Sequence, residues 1–102
     1  MTESPIHEGG CLCGAIRYRL RGPFSSVVQC HCRLCQKAAG APVVTWLTLP
    51  QSDFVITKGE LGLYDSSAHA QRGFCRGCGT QITFWTERYP EDIDVTVASQ
   101  RP

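Results

Sequence analysis

Three cysteines fall within the six residues Cys30-His31-Cys32-Arg33-Leu34-Cys35, a density of sulfur that no strand or helix needs for packing. A metal ion does need it, because thiolates about 2.3 Å from a zinc ion must converge from the corners of a tetrahedron. An extended C-x-C segment points both sulfurs to one side, since strand side chains alternate. The two residues between Cys32 and Cys35 then leave room for a turn that returns the third sulfur to the same point. Three ligands leave one corner of the tetrahedron free for water or substrate, the arrangement of catalytic rather than structural zinc.

The remaining sulfurs extend this reading. The chain has seven cysteines, the others being Cys11, Cys13, Cys75 and Cys78. An odd number cannot all pair as disulfides. It does divide into a closed site of four and an open site of three, hence two zinc ions per chain. Cys13-Gly14 and Cys78-Gly79 each place a glycine after a cysteine, the mark of a tight knuckle whose amides turn toward sulfur. Cys35 is followed by Gln36 and a helical pattern. Local form therefore groups Cys11, Cys13, Cys75 and Cys78, although spacing alone also permits Cys30 and Cys32 to join Cys75 and Cys78.

The rest of the chain alternates strands with turn residues. At 102 residues it is read as a polar, flexible leader over 1–8 and a single zinc-binding β domain over 9–102. Ala15 to Arg21 sets Ile16, Tyr18 and Leu20 against three arginines, a half-buried antiparallel strand. Further strands are expected over 26–29, 43–49, 54–57, 61–64, 71–74, 81–85 and 93–98, with a polar loop over 65–69. The run from Val43 to Leu49 is the longest β-prone stretch and apolar but for Thr45 and Thr48, which predicts burial on both faces. One short helical turn is expected from Leu34 to Ala39, stopped by Gly40. The fold class is all-β and antiparallel.

Composition narrows the function. A formal net charge of +1 with no clustered basic stripe speaks against nucleic acid as partner. No apolar run approaches the ~20 residues that cross a bilayer. Met1 to Glu8 lacks the basic and apolar regions of a signal peptide, so a reducing, cytoplasmic setting is expected.

Gly10-Cys11-Leu12-Cys13-Gly14, then Cys30-His31-Cys32-Arg33-Leu34-Cys35 with Gly40 behind it, then Phe74-Cys75-Arg76-Gly77-Cys78-Gly79, resemble the signature of the glutathione-dependent formaldehyde-activating enzyme family, which includes centromere protein V. The resemblance covers residues 9 to 98, and Val95 to Ser99 resembles the family's last inner strand. It implies a β-tent fold related to zinc ribbons. It also implies structural zinc on Cys11, Cys13, Cys75 and Cys78, and catalytic zinc on Cys30, Cys32 and Cys35. The implied activity is that of a carbon–sulfur lyase acting on adducts of glutathione with formaldehyde.

Three thiolates outweigh the charge of a divalent ion. That blunts its Lewis acidity and suits it to holding a soft sulfur ligand. Glutathione's carboxylates call for cations, and Arg33 and Lys37 lie nearest the open cluster in sequence, with Arg72 and Arg76 next. His31, between two ligands, should point away from the ion. His69 belongs to the polar loop, and Trp46 and Trp85 read as core or as a pocket wall. Two other functions fit the same cysteines: a zinc-stabilised binding module without chemistry, and a thiol redox or zinc sensor.

Overall fold

A computed structural model describes residues 6–22 and 26–100. Nine antiparallel strands form two sheets, with one short helix among the described residues. The smaller sheet has the order β1 (Ile6–Gly10), β2 (Arg17–Arg21), β5 (Phe54–Lys58). The larger runs β3 (Ser26–Cys30), β4 (Val44–Pro50), β9 (Asp92–Thr96), β8 (Gln81–Thr86), β7 (Ala70–Phe74), β6 (Gly62–Ser67). Helix α1 spans Arg33–Ala39 and ends on Gly40, whose φ of 63° only glycine adopts at no steric cost. This is the all-β, antiparallel architecture expected from the sequence.

The main core lies where the two sheets face each other. Ile16, Tyr18 and Leu20 of the β2 side meet Leu47, Leu49, Ile82 and Val95 of the larger sheet, joined by Cys11 and Cys75. Alternation in β2 thus buries its apolar face, while Arg19 points outward and pairs with Glu8 across the strands at 3.6 Å. Strand β4 buries both faces, as its mostly apolar run predicts. Leu47 and Leu49 face the main core, and Val44 and Trp46 form a second cluster with Cys35 on the other side.

Three sequence expectations need correction. The leader expected over 1–8 overlaps β1: Ile6, His7 and Glu8 pair with Arg21, Leu20 and Arg19. Residues 1–5 and Pro23, expected as a strand breaker, lie outside the described residues. The polar loop expected over 65–69 is mostly strand, because Asp65 and Ser67 continue the ladder opposite Gln71 and Ala70. The strand expected to reach Ala98 stops at Thr96 and becomes a 3₁₀ turn over Val97–Ser99. That turn carries the Ser99 hydroxyl to within 2.6 Å of the fully buried Tyr18 hydroxyl and within 2.7 Å of the Thr96 hydroxyl. Continued strand geometry would carry Ser99 away and leave the Tyr18 hydroxyl buried without that partner.

Gly9, opposite Tyr18 in the ladder, makes this arrangement possible. A Cβ there would overlap both the Tyr18 hydroxyl and the Ser99 carbonyl. Gly9→Ala is expected to destabilise the protein by about 1–3 kcal/mol, the usual cost of overpacking. Chemical denaturation would measure it, and an unchanged midpoint would contradict this packing.

Candidate metal centre

The sulfurs of all seven cysteines gather in two groups, Cys11 with Cys13, Cys75 and Cys78, and Cys30 with Cys32 and Cys35. Within each group the sulfurs lie within 4.8 Å of one another. This is the partition that the trailing glycines suggested, and the alternative that joins Cys30 and Cys32 to Cys75 and Cys78 is absent from the described residues.

Two similar turns build the first group. Cys11 and Cys13 lie between β1 and β2, where the Ile16 amide donates to the Cys11 sulfur at 3.2 Å. Cys75 and Cys78 lie between β7 and β8, where the Cys75 amide donates to the Thr80 carbonyl and the Gly79 amide to the Cys75 carbonyl. Gly14 and Gly79 have φ of 83° and 81°, the reason each knuckle ends on glycine. The Leu12 amide donates to the Thr80 hydroxyl, tying one knuckle to the other. The hydroxyl and amide of Thr80, with the Cys13 amide, hold the Cys78 thiol down at about 5.

The second group sits where β3 hands over to α1. Cys30 is the last residue of β3, and Cys32 is the N-cap of α1, accepting from the Cys35 amide at 3.4 Å. Cys35 follows in the first turn, buried, with its sulfur 3.3 Å from that of Cys30. The Cys35 amide, then the Cys30 side chain, pull the Cys32 thiol down to about 7.

The donor sets fit a soft divalent ion. A tetrahedron with metal–sulfur bonds of about 2.3 Å has edges of about 3.8 Å. Cys11 to Cys13 is 3.6 Å and Cys13 to Cys75 is 3.7 Å. None of these separations is near the about 2.05 Å of a disulfide, and all seven cysteines are free. Among the described residues each group is purely sulfur. A set of four thiolates and a set of three match a closed and an open zinc site respectively.

A cavity of about 410 Å³ opens over the three-cysteine group. Its floor is one face of the larger sheet. Thr48, Asp94, Phe84 and Arg72 stand opposite one another on β4, β9, β8 and β7 and so share that face, with Trp46 two residues before Thr48. Asp94 accepts from the Thr48 hydroxyl at 2.6 Å. Burial pushes the Asp94 carboxyl up; the Thr48 bond opposes this and the neighbouring Asp92 charge adds to it. Arg72 is 4% exposed, with its two terminal nitrogens 3.7 and 3.6 Å from the Cys35 sulfur and its guanidinium 4.8 Å from the Phe84 ring centre.

The candidate cations separate accordingly. Arg33 and Lys37 lie on the exposed side of α1 and do not line the cavity. Arg76 is exposed beside the other cysteine group, whereas Arg72 is the arginine that reaches the open one. His31 is exposed between its two cysteine neighbours, and His69 pairs with Glu87 at the β6–β7 hairpin. Trp46 walls the cavity, while Trp85 donates to the Pro90 carbonyl elsewhere. Sequence reasoning missed Asp94 and ranked Arg72 low. The alternation around each marks a strand, but which face meets the cysteines depends on strand order.

A small antiparallel β protein holding four sulfurs in one knuckle pair and three at a cavity mouth belongs with proteins built on metal–thiolate centres. The particular family follows from comparison: residues 6–100 match that of the glutathione-dependent formaldehyde-activating enzyme, and the chain belongs to it. It is 34% identical over 80 residues to an uncharacterized lyase of Schizosaccharomyces pombe, covering 78% of this chain and 58% of that protein. It is 27% identical over 92 residues to a Halomonas elongata protein provisionally named a glutathione-dependent formaldehyde-activating enzyme, covering 82% and 59%. The chain thus spans less than two thirds of both relatives. A crystal structure of a Rhodobacter sphaeroides protein shares the fold at a TM-score of 0.74 and 29% identity, covering 90% of this chain and 85% of that one. No helix among the described residues is long and apolar enough to cross a membrane.

Proposed function

We propose that this chain holds two zinc ions, a structural one on Cys11, Cys13, Cys75 and Cys78 and a catalytic one on Cys30, Cys32 and Cys35. We further propose that it acts as a carbon–sulfur lyase on glutathione–formaldehyde adducts. The observation that carries this reading is a cavity of about 410 Å³ opening onto three sulfurs, with no fourth among the described residues. Zinc bound there would keep an incoming thiol in its thiolate form.

The reaction is an addition without oxidation or reduction. The thiol sulfur bonds to the aldehyde carbon, the carbon–oxygen π bond opens, and the thiol proton ends on the new hydroxyl. The reverse direction breaks the same carbon–sulfur bond. The chain contributes position and surroundings. The first turn of α1 aims Cys32 and Cys35, β3 delivers Cys30, and Trp46 and Phe84 wall the cavity against water. Arg33 and Lys37, exposed on α1, are the solvent-side cations for the carboxylates of glutathione. A reducing, cytoplasmic setting fits this role, since the thiols must stay free.

Cys32→Ser is the direct test, because serine is itself a good N-cap and preserves the start of α1. In exchange NMR of formaldehyde with glutathione, the native protein is expected to accelerate adduct exchange in proportion to its concentration. The Cys32→Ser protein is expected to leave exchange at the uncatalysed rate. Equal exchange with both proteins would end the proposal.

A further inference from the structure

We propose that Arg72 is the positioning residue that lets the three-cysteine centre accept a fourth, anionic sulfur. The inference rests on the reading of that centre as an open metal site, and concerns which of the chain's residues decides what enters it.

The argument starts from charge. An arginine stays protonated at any pH a protein survives. Arg72 is almost wholly buried, where an uncompensated charge is costly. Its guanidinium lies over the Phe84 ring and turns both terminal nitrogens to the Cys35 sulfur, so the three-cysteine group supplies its counter-charge. Among the described residues, the ionisable groups lining the cavity are Cys30, Cys32, Cys35, Asp94 and Arg72, so Arg72 is the one cation among them.

Three thiolates around a divalent ion carry one excess negative charge, and the Asp94 carboxylate on the same sheet face adds to the negative field. A second anion entering such a cavity would be repelled. The fixed charge of Arg72 offsets the excess on the metal–thiolate group, so an incoming thiolate meets a cavity one unit less negative than it would be without the arginine. Attraction and repulsion of this kind are strong in a partly buried site, where water screens little.

The same geometry sets the first use of this side chain. A guanidinium that turns both terminal nitrogens to Cys35 and is only 4% exposed acts on the sulfur centre before any other group of the ligand. Arg72 therefore selects the charge of the donor atom at the metal and leaves the rest of the thiol to other groups. A ligand that binds through a neutral nitrogen gains nothing from it.

The test uses zinc-loaded protein of known stoichiometry, with glutathione as the anionic donor and imidazole as the neutral one, both followed by calorimetry. Arg72→Gln keeps an N–H donor but loses the charge. It is expected to weaken glutathione binding by about 10- to 100-fold while changing imidazole binding by less than about 3-fold. Arg72→Lys keeps the charge and is expected to stay within about 5-fold of the native protein for both. Unchanged glutathione affinity in Arg72→Gln, or equal losses for both ligands, would overturn the inference while the metal site stands. A native protein that binds one zinc per chain would overturn the open site, and the role of Arg72 with it. Should Arg72→Gln fail to fold, Arg72→Lys decides: a glutathione affinity that falls well below its imidazole affinity refutes the charge argument, and retention of both supports it.

Discussion

Cys75→Ser is expected to leave the chain without a cooperative fold at room temperature and with no ion on the four-cysteine group. Cys75 is 2% exposed and packs in the main core with Cys11, Tyr18 and Ile82. Its sulfur lies 3.7 Å from that of Cys13, a residue 62 positions away. An ion held there pins the β1–β2 turn to the β7–β8 turn and closes a long loop. Structural zinc supplies about 10–16 kcal/mol of apparent binding free energy in small domains, and a domain of this size is stable by only about 5–15 kcal/mol. Loss of that ion would therefore remove an amount comparable to the whole net stability of the fold. Circular dichroism, amide dispersion in an NMR spectrum and zinc per chain would measure it. A Cys75→Ser protein that unfolds cooperatively near the native midpoint would show that the knuckles hold themselves together without metal.

The same residues show how far a sequence of this kind can be read. Glycine after a cysteine is a local signal with a local cause, the positive φ that a knuckle needs, so Gly14 and Gly79 mark the closed group in the sequence itself. The alternation of Ile16, Tyr18 and Leu20 was equally legible, because period two translates directly into one buried face. Strand β1 was not, since Ile6 to Gly10 is polar, glycine-rich and held by pairing with β2 rather than by its own preferences. The turn at Val97 was hidden for a related reason. Its residues favour strand, and the hydroxyls of Tyr18 and Thr96, remote in sequence or in orientation, decide otherwise.

The site divided along the same line. Its ligands are close in sequence and announced themselves, whereas Arg72 and Asp94 come to the cavity through strand order. Phe84 stands between them in one cross-strand row, and only the pairing of β7, β8 and β9 creates that row. Arg33 and Lys37 stand out in the sequence because they lie beside Cys32 and Cys35 in the chain. Adjacency on a helix is a poor guide, since Cys35 turns inward while both of those side chains turn to solvent.

From protein loaded with the two proposed zinc ions, a mild chelator is expected to remove them in order, first from Cys30, Cys32 and Cys35, with the fold intact, and only later from the four-cysteine group, with unfolding. Three ligands hold less tightly than four, and the four-cysteine group has two buried members, Cys11 and Cys75, in the main core, whereas the three-cysteine group has one, Cys35. The open group also depends less on metal for its shape. Helix α1 is closed by Gly40, the Gln36 side chain donates to the Pro42 carbonyl at 3.0 Å, and the Gln81 side chain donates to the Ala38 carbonyl at 3.0 Å. Val44 and Trp46 pack on Cys35 from below. These contacts survive the ion's departure, so changes in amide shifts should stay near the end of β3 and the start of α1. Catalysed exchange of formaldehyde with glutathione should vanish at that first step, while thermal unfolding remains cooperative. Zinc release followed with a colorimetric chelator, alongside circular dichroism, separates the stages. Simultaneous loss of both ions with the fold would mean that the three-cysteine group is as structural as the other, and that no position at it is kept for a substrate.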